Sequence, residues 1–243
     1  MWKSVKQELA VQKAMLYWNL GVVFVAWMIG VGMMVVVQAV TKGADQSYFC
    51  IGTMIALMAV CVISLVVGGM VIYTGFDDAV HMGKTRKRFL PAVSLVLFLF
   101  CLSGLVLTAL LCKVEAAVYG MLYPNFEWEP GPEKYLGFRW LLGYASAITG
   151  LACVYSGIIK VNRKIGGAFC LAVWIIACWS MSGIGGVDGD NRSFFTVFEW
   201  IGYRVSRWYA SFSVGIRIGI LFLIGAAGYA VMYTLLIGRA ADT

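Results

Sequence analysis

The chain has few charged residues, only one histidine and four prolines in 243 residues. Charged residues make up 13% of it, against roughly 25% in soluble domains, while 61% of the residues are hydrophobic and the mean hydropathy is +0.85. A globule of this size still exposes much of its surface, so this many apolar side chains need lipid as a second solvent. The composition therefore excludes a soluble enzyme.

The residues that most catalytic and metal sites need are also scarce. His81 is the single histidine, and no C-x-x-C or H-E-x-x-H pattern occurs. Asp77 and Asp78 are adjacent and point to different helix faces, which argues against a paired-aspartate protease. Residues 83–85, Gly-Lys-Thr, resemble the end of a phosphate-binding loop, but Asp78 occupies the position of the loop's first glycine. We predict that the chain is not an enzyme and has no cofactor or metal of its own.

Six apolar runs are long enough to cross a bilayer, which takes about 20 residues at 1.5 Å rise each. In chain order, the predicted spans are 17–40, 49–73, 90–112, 136–159, 165–184 and 218–237. The first run is too long for a signal peptide and lacks a small-residue cleavage site, so the N-terminus is expected to stay attached. These runs predict an all-α membrane protein, with residues 1–243 forming one transmembrane domain.

The basic residues indicate which side each predicted loop faces. The set that includes both termini carries eleven basic residues against four acids, and the other set carries seven against eight. Lys and Arg beside spans are retained in the cytoplasm, so we expect both termini there and the protein in the plasma membrane. The net charge of +7 is spread over short juxtamembrane segments, which favours lipid headgroups over nucleic acid as the partner.

Two amphipathic segments flank the predicted spans. Residues 3–15 interleave apolar and basic side chains, as expected of a helix lying in the inner interface. The alternative is that these residues extend the first span as a frayed end. Residues 193–212 place aromatic and apolar side chains at helical spacing, which predicts an outer interfacial helix. That helix either anchors the chain or dips inward to cap a pathway. Arg217 is interpreted as an interfacial charge at the start of the last span.

The seven cysteines lie nearly all within apolar runs and resemble small buried hydrophobic residues. Cys50 and Cys112 differ because both lie near predicted outer ends of helices. Whether they form a disulfide depends on a geometry that spacing alone does not supply.

The most specific stretch, residues 74–90, links the second and third predicted spans and reads TGFDDAVHMGKTRKRFL. A short helix here would present an apolar knob with polar edges and end at a glycine. The residues are Phe76, Val80 and Met82 for the knob, Asp77, Asp78 and His81 for the edges, and Gly83 for the helix stop. The alternative is an ordinary basic loop that fixes topology.

This stretch resembles the cytoplasmic loop of bacterial ABC-exporter permeases of the ABC-2 type. In those proteins, a short amphipathic helix ends in a Met-Gly-x-Thr/Ser-Arg-Lys-x-Phe pattern just before the third span. The matching residues here are Met82, Gly83, Thr85, Arg86, Lys87 and Phe89. The whole order of elements is similar to the type V (ABCG-like) exporter fold, with an interfacial N-terminal helix, six spans and an outer helix before the last span.

The resemblance implies a permease subunit whose partners are a separate ATPase, which carries ATP and Mg, and a second permease copy or homologous permease. The residues of the coupling segment that would contact the ATPase are Phe76, Asp77, Asp78, Val80, His81, Met82, Gly83, Thr85 and Arg86. Substrate contacts would fall on the second and fifth spans. The alternatives are a non-transporting scaffold or sensor that docks another cytoplasmic protein, and a secondary transporter or channel, which the rarity of intramembrane charge disfavours.

Overall fold

The computed structural model describes residues 10, 12–41, 47–48, 50–81, 86–123, 127–128, 136–182, 204 and 207–238. The long helices in these residues are α1 (Lys13–Thr41), α2 (Ile51–His81), α3 (Arg86–Leu122), α4 (Phe138–Val161), α5 (Arg163–Ser182) and α6 (Val214–Gly238). Two-residue strands β1 (Ser47–Tyr48) and β2 (Glu127–Trp128) pair in parallel, with Ser47 beside Glu127. This pairing places the α1–α2 and α3–α4 connections at the same end of the helices.

Five of these helices, α1, α2, α3, α4 and α6, are long and apolar enough to cross a membrane. The prediction of a helical multi-pass membrane protein is therefore confirmed. The helix α5 covers most of the fifth predicted span but is not one of the five found in the described residues. The six-span layout stays a prediction for that reason.

The helices α2 and α3 are longer than the predicted spans. They contain 31 and 37 residues, which correspond to about 46 and 55 Å at 1.5 Å per residue, whereas the hydrocarbon layer is about 30 Å thick. The short helix predicted within residues 74–90 is therefore not separate from the second span but continues it. Helix α2 continues to His81 and α3 begins at Arg86, with only residues 82–85 between them.

The start of α2 and the end of α3 lie together, and we call this end of the bundle the Glu115 end. The opposite end, where α2 ends and α3 begins, is called the Phe76 end. Helix α1 begins at the Phe76 end, because Met15 and Leu16 pack against Ala92 and Val96 near the start of α3. Helix α6 finishes there as well, because Leu236 belongs to the same core cluster as Phe76.

Helix α4 is the most enclosed of the five membrane-length helices. Its most apolar 18-residue window is 61% buried, against 22% for the corresponding windows of α1 and α6. Gly143, Gly150 and Gly157 on α4 recur every seven residues and face α6. A Cβ atom on Gly150 would lie 2.6 Å from the Cα atom of Gly225, so the close crossing of the two helices requires glycine there. Helix α4 thus forms the centre of the packing.

Candidate functional site

The predicted coupling segment lies at the Phe76 end, and the structure describes part of it. Phe76 and the residues that follow it continue α2 without a break up to His81. For Asp77, Asp78, Val80, His81 and Arg86 the structure describes the helical backbone alone, and Met82, Gly83 and Thr85 lie outside the described residues. The segment is therefore attached directly to α2 on one side and to α3 on the other.

Phe76 is buried within the chain. Its side chain is 4% exposed and belongs to a core cluster with Ile72, Phe89 and Leu90. The backbone of α2 beside Phe76 also lies close to α3, since a Cβ atom on Gly75 would lie 3.2 Å from Cζ of Phe89. Phe76 therefore packs α2 against α3, and its predicted contact with an ATPase stays a prediction.

A cationic group approaches α2 near the coupling segment. The Lys160 ammonium, in the last turn of α4, lies 5.5 Å from the ring centroid of Tyr73 on α2. Arg163 and Lys164, at the start of α5, are exposed. The described residues of the Phe76 end thus present positive charge beside the end of α2, where helical carbonyl groups favour cations.

Glu115 forms the most extensive buried polar cluster in the described residues, at the end opposite the coupling segment. Its side chain is 0% exposed on α3. Oε1 accepts the Gly52 N–H at 2.8 Å. Oε2 accepts the Thr53 N–H at 2.8 Å, the Thr53 hydroxyl at 2.7 Å and the Trp27 indole N–H at 3.2 Å. Both oxygens therefore act as acceptors, and together they take four donors.

These contacts make Glu115 a cap for α2 supplied by another helix. The first N–H groups of a helix have no partner within that helix, and the helix dipole favours a negative group there. Helix α2 begins at Ile51, so Gly52 and Thr53 are in its first turn, and the preceding Cys50 has no oxygen in its side chain to serve as a cap. Glu115 fills that role and also holds Trp27 of α1, so three helices meet at one carboxyl group.

In the charge pattern of the sequence, Glu115 is one of the eight acids on the side predicted to lie opposite the termini. Two features of the sequence indicate that Glu115 lies in a helix and that the start of α2 needs an acceptor. The apolar run resumes after Glu115 at Ala116, Ala117 and Val118, which is typical of a helix that continues. The second span also begins without Ser, Thr, Asp or Asn at its start, which leaves its N–H groups in need of an acceptor from elsewhere.

Cys50 and Cys112 lie beside this junction. Their sulfur atoms are 3.6 Å apart and both residues are buried. The geometry that the sequence left open therefore places the two cysteines in contact.

Arg217 is bound to the backbone of the segment that precedes α6. Its guanidinium donates through Nε to the Phe212 carbonyl at 2.8 Å and through Nη2 to the Ala210 carbonyl, at the end of helical residues 207–211. The Tyr209 hydroxyl donates to the Arg217 carbonyl at 3.2 Å. Burial raises the pKa of the Tyr209 phenol, and the charge of Arg217 opposes that shift. Arg217 therefore caps a helix C-terminus. Of the predicted outer helix 193–212, residues 193–203, 205 and 206 lie outside the described residues.

The cavities between the described helices include two with different linings. One of about 630 Å³ lies between α2, α4 and α5 and has an apolar lining that includes Leu65, Leu151, Tyr155 and Leu171. The other, of about 300 Å³, lies between α3, α4 and α6 and is lined in part by hydroxyl groups. Its lining includes Thr149, whose buried hydroxyl has no hydrogen-bond partner among the described residues.

Comparisons with protein-family models, curated proteins and solved structures found no match for the chain. Among the residues that the structure describes, no group of three or more His, Cys, Asp or Glu side chains is placed to hold a metal ion.

Proposed function

We propose that this chain is the permease subunit of an ATP-driven ABC exporter and that a separate ATPase chain docks at the Phe76 end. One observation carries the proposal: α2 continues past its predicted span end directly into the segment whose Met-Gly-x-Thr-Arg-Lys-x-Phe pattern resembles the ABC-2 coupling loop. A partner that binds residues 77–86 would therefore contact the end of α2 directly.

The length of α2 and α3 supports transmission from such a contact. Each is continuous from the Phe76 end to the Glu115 end, and four residues, 82–85, separate them. A push on this link moves both helices, because a helix resists bending and the chain between them is too short to absorb the displacement. ATP binding to the partner would then shift the permease between states, provided that the partner binds those states with different affinities.

The apolar cavity between α2, α4 and α5 supports an apolar or amphiphilic substrate. Its lining residues lie on the second, fourth and fifth predicted spans, which include the two spans expected to contact substrate, and none of them carries a charged side chain. In this proposal, ATP and Mg bind to the ATPase, and a second permease copy or homologous permease completes the pathway. The protein lies in the plasma membrane, and its Phe76 end faces the cytoplasm.

Copurification tests the proposal. The tagged chain should be isolated in mild detergent from its native membrane, and its partners should be identified by mass spectrometry. We expect a near-stoichiometric chain that carries a phosphate-binding loop and hydrolyses ATP faster in the complex than alone. Purification of the permease without any such chain would contradict the proposal.

Variants locate the contact. Arg86→Glu reverses a charge within the coupling segment, and we expect it to reduce ATPase association and stimulation at least fivefold. Lys164→Glu is the matched control, since Lys164 is an exposed cation in the first turn of α5 at the same end, where a helix tolerates an acid. If Arg86→Glu keeps full association, or if both variants lose it equally, the coupling segment is not the docking site.

Cysteine labelling tests the orientation. Single cysteines at positions 84 and 129, in a chain whose native cysteines are replaced, should react with a membrane-impermeant maleimide from opposite sides. We expect position 129 to react in intact cells and position 84 only after permeabilisation. Reaction of both positions in intact cells would overturn the proposed topology.

A further inference from the structure

We propose that Cys50 and Cys112 form a disulfide bond that joins the start of α2 to α3 at the Glu115 end. The two sulfur atoms are already in contact at 3.6 Å. A disulfide needs about 2.05 Å between its sulfur atoms, so the two sulfur atoms must approach each other by about 1.5 Å for the bond to form. The proposal does not depend on ATP-driven transport and applies equally to a scaffold or channel.

The surrounding hydrogen bonds hold the two cysteines face to face. Glu115 lies three residues after Cys112, one turn farther along α3, and it binds the backbone of Gly52 and Thr53, which follow Cys50 closely. The backbone on both sides of the sulfur pair is therefore fixed by the same carboxyl group. Two cysteines brought together by a rigid junction have a high effective concentration, which favours a disulfide over two thiols.

The position in the chain also favours oxidation. The Glu115 end carries the connections that hold few basic residues relative to acids, and the Phe76 end carries the basic ones, so the Glu115 end is predicted to face the outside. Thiols outside the cytoplasm meet an oxidising environment in which disulfides persist. Cys61, Cys101 and Cys153 lie in the interior of α2, α3 and α4 instead, several residues from the ends of the predicted spans and away from that environment.

The oxidant that the reaction needs is a disulfide-bearing oxidoreductase of the outer compartment. The thiolate of one cysteine, after loss of its proton, attacks a sulfur of the oxidant, and the oxidant's S–S bond breaks to give a mixed disulfide and one thiol. The second cysteine, also deprotonated, then attacks the sulfur of the first, which forms the Cys50–Cys112 bond and releases the second thiol of the oxidant. The chain loses two electrons and two protons, and the oxidant gains them.

Burial determines when this exchange occurs and how long the bond lasts. Cys50 is 0% exposed and Cys112 is 1% exposed in the folded chain. An oxidoreductase reaches them before the helices close, and a soluble reductant cannot reach the finished bond. We therefore infer a structural disulfide that is made during assembly and is not a reversible switch.

The test counts cysteines that were oxidised in the cell. Cells expressing the full chain are quenched in acid, the protein is denatured in detergent with N-ethylmaleimide to block every free thiol, and then reduced and labelled with a polymer-conjugated maleimide that retards migration. We expect two labels per chain from the seven cysteines. Mass spectrometry of the unreduced digest should find the peptides of Cys50 and Cys112 linked.

Substitutions assign the pair. Cys50→Ser and Cys112→Ser should each reduce the count from two labels to none, whereas the double variant Cys61→Ser with Cys101→Ser, the matched control, should keep two. No label in the unmodified chain would overturn the proposal, and so would two labels that persist in Cys50→Ser. The measurement needs neither a folded variant nor transport activity, because the unmodified chain alone decides it, and its outcome is separate from that of the ATPase copurification.

Discussion

The two ends of the α2–α3 helix pair are held together by different chemistry. At the Glu115 end, one buried carboxyl group takes four hydrogen bonds from α1 and α2, and two sulfur atoms lie in contact beside it. At the Phe76 end, the described side chains of α2 and α3 form an apolar cluster that includes Phe76, Phe89 and Leu90. Among the side chains that the structure describes, the same two helices are therefore joined by directional bonds at one end and by nondirectional packing at the other.

This difference indicates which end can move. Hydrogen bonds to a single carboxyl group fix distance and register, because a shift of one ångström breaks them. Apolar surfaces in lipid are attracted mainly by van der Waals packing, and they can slide while most contacts are kept. We infer that the Glu115 end acts as the pivot of the pair and that the Phe76 end, which carries the coupling segment, is the end that a partner can displace.

Loss of the Glu115 carboxyl group should give the largest effect. In Glu115→Ala, the N–H groups of Gly52, Thr53 and Trp27 lose their acceptor within a buried site, and we expect a loss of about 3 kcal/mol or more, since each unpaired buried group costs about 1–3 kcal/mol. Thermal unfolding in detergent should show an apparent Tm lower by several degrees. Lys113→Ala is the matched control, because Lys113 is exposed on the same helix. Equal Tm values for the two variants would show that the Glu115 junction does not fix this end.

A pair of glycine substitutions compares the two ends with the same chemical change. A Cβ atom on Gly52 would lie 2.9 Å from the backbone carbonyl oxygen of Trp27, which cannot move without shifting α1, whereas one on Gly75 would lie 3.2 Å from the far end of the Phe89 ring. We expect Gly52→Ala to destabilise the protein by about 2 kcal/mol through overpacking. Gly75→Ala should have an effect within about 0.5 kcal/mol.

The same thermal unfolding assay decides between the two glycines. A larger loss for Gly75→Ala than for Gly52→Ala would reverse the assignment of the fixed and the adaptable end. Alanine is the better helix former, so any stabilisation from helix propensity applies to both variants and cancels in the comparison.

Phe76→Ala should cost less than the same change in a water-soluble core. There, truncation of phenylalanine costs about 3–5 kcal/mol, much of it from the transfer of apolar surface out of water. A side chain surrounded by lipid in the dissociated state loses the packing contacts alone, so we expect about 1.5 kcal/mol at this position. Val67→Ala, on the same helix and exposed, is the control. A loss of more than about 3 kcal/mol in detergent would show that the Phe76 end is as fixed as the other.

Much of the fold followed from the sequence, because lipid imposes a simple rule on length and hydropathy. The apolar runs located the six long helices of the described residues, and the β1–β2 pairing places at one end the two connections that were predicted to share a side. Helix ends were harder to place. Arg86, Lys87 and Arg88 were taken as a loop because charge marks the limit of the hydrocarbon, but a helix continues past that limit into water.

The sites were harder to predict because they depend on contacts between distant parts of the chain. Glu115 and Thr53 are 62 residues apart, and nothing in either segment alone specifies the other. The pattern that singled out residues 74–90 is local, so it could be recognised directly. Phe76 was predicted to form part of an apolar knob because the segment is amphipathic. In the fold, the start of α3 packs against it.

Arg217 provides the smallest and most local test of the fixed end. It lies at the start of α6, and α6 runs parallel to α4, since Gly143 and Gly157 face Leu221 and Leu235 in the same order. Arg217 is therefore at the Glu115 end, and the two residues are complementary: Glu115 accepts from a helix N-terminus, and Arg217 donates to a helix C-terminus. Each ionisable group is thus used to satisfy backbone atoms that lack a partner within a helix.

Arg217→Gln should free residues 207–212 without unfolding the bundle. We expect a local loss of about 1 kcal/mol, the usual value of a cation at a helix C-terminus together with its hydrogen bonds, and hence roughly fivefold faster amide hydrogen exchange in that segment at an unchanged Tm. Arg139→Gln removes an exposed charge at the same end and should leave the exchange unaltered. If Arg217→Gln instead lowers the Tm as far as Glu115→Ala does, the fixed end extends to α6, and the pivot is the whole Glu115 end of the bundle and not the α2–α3 pair alone.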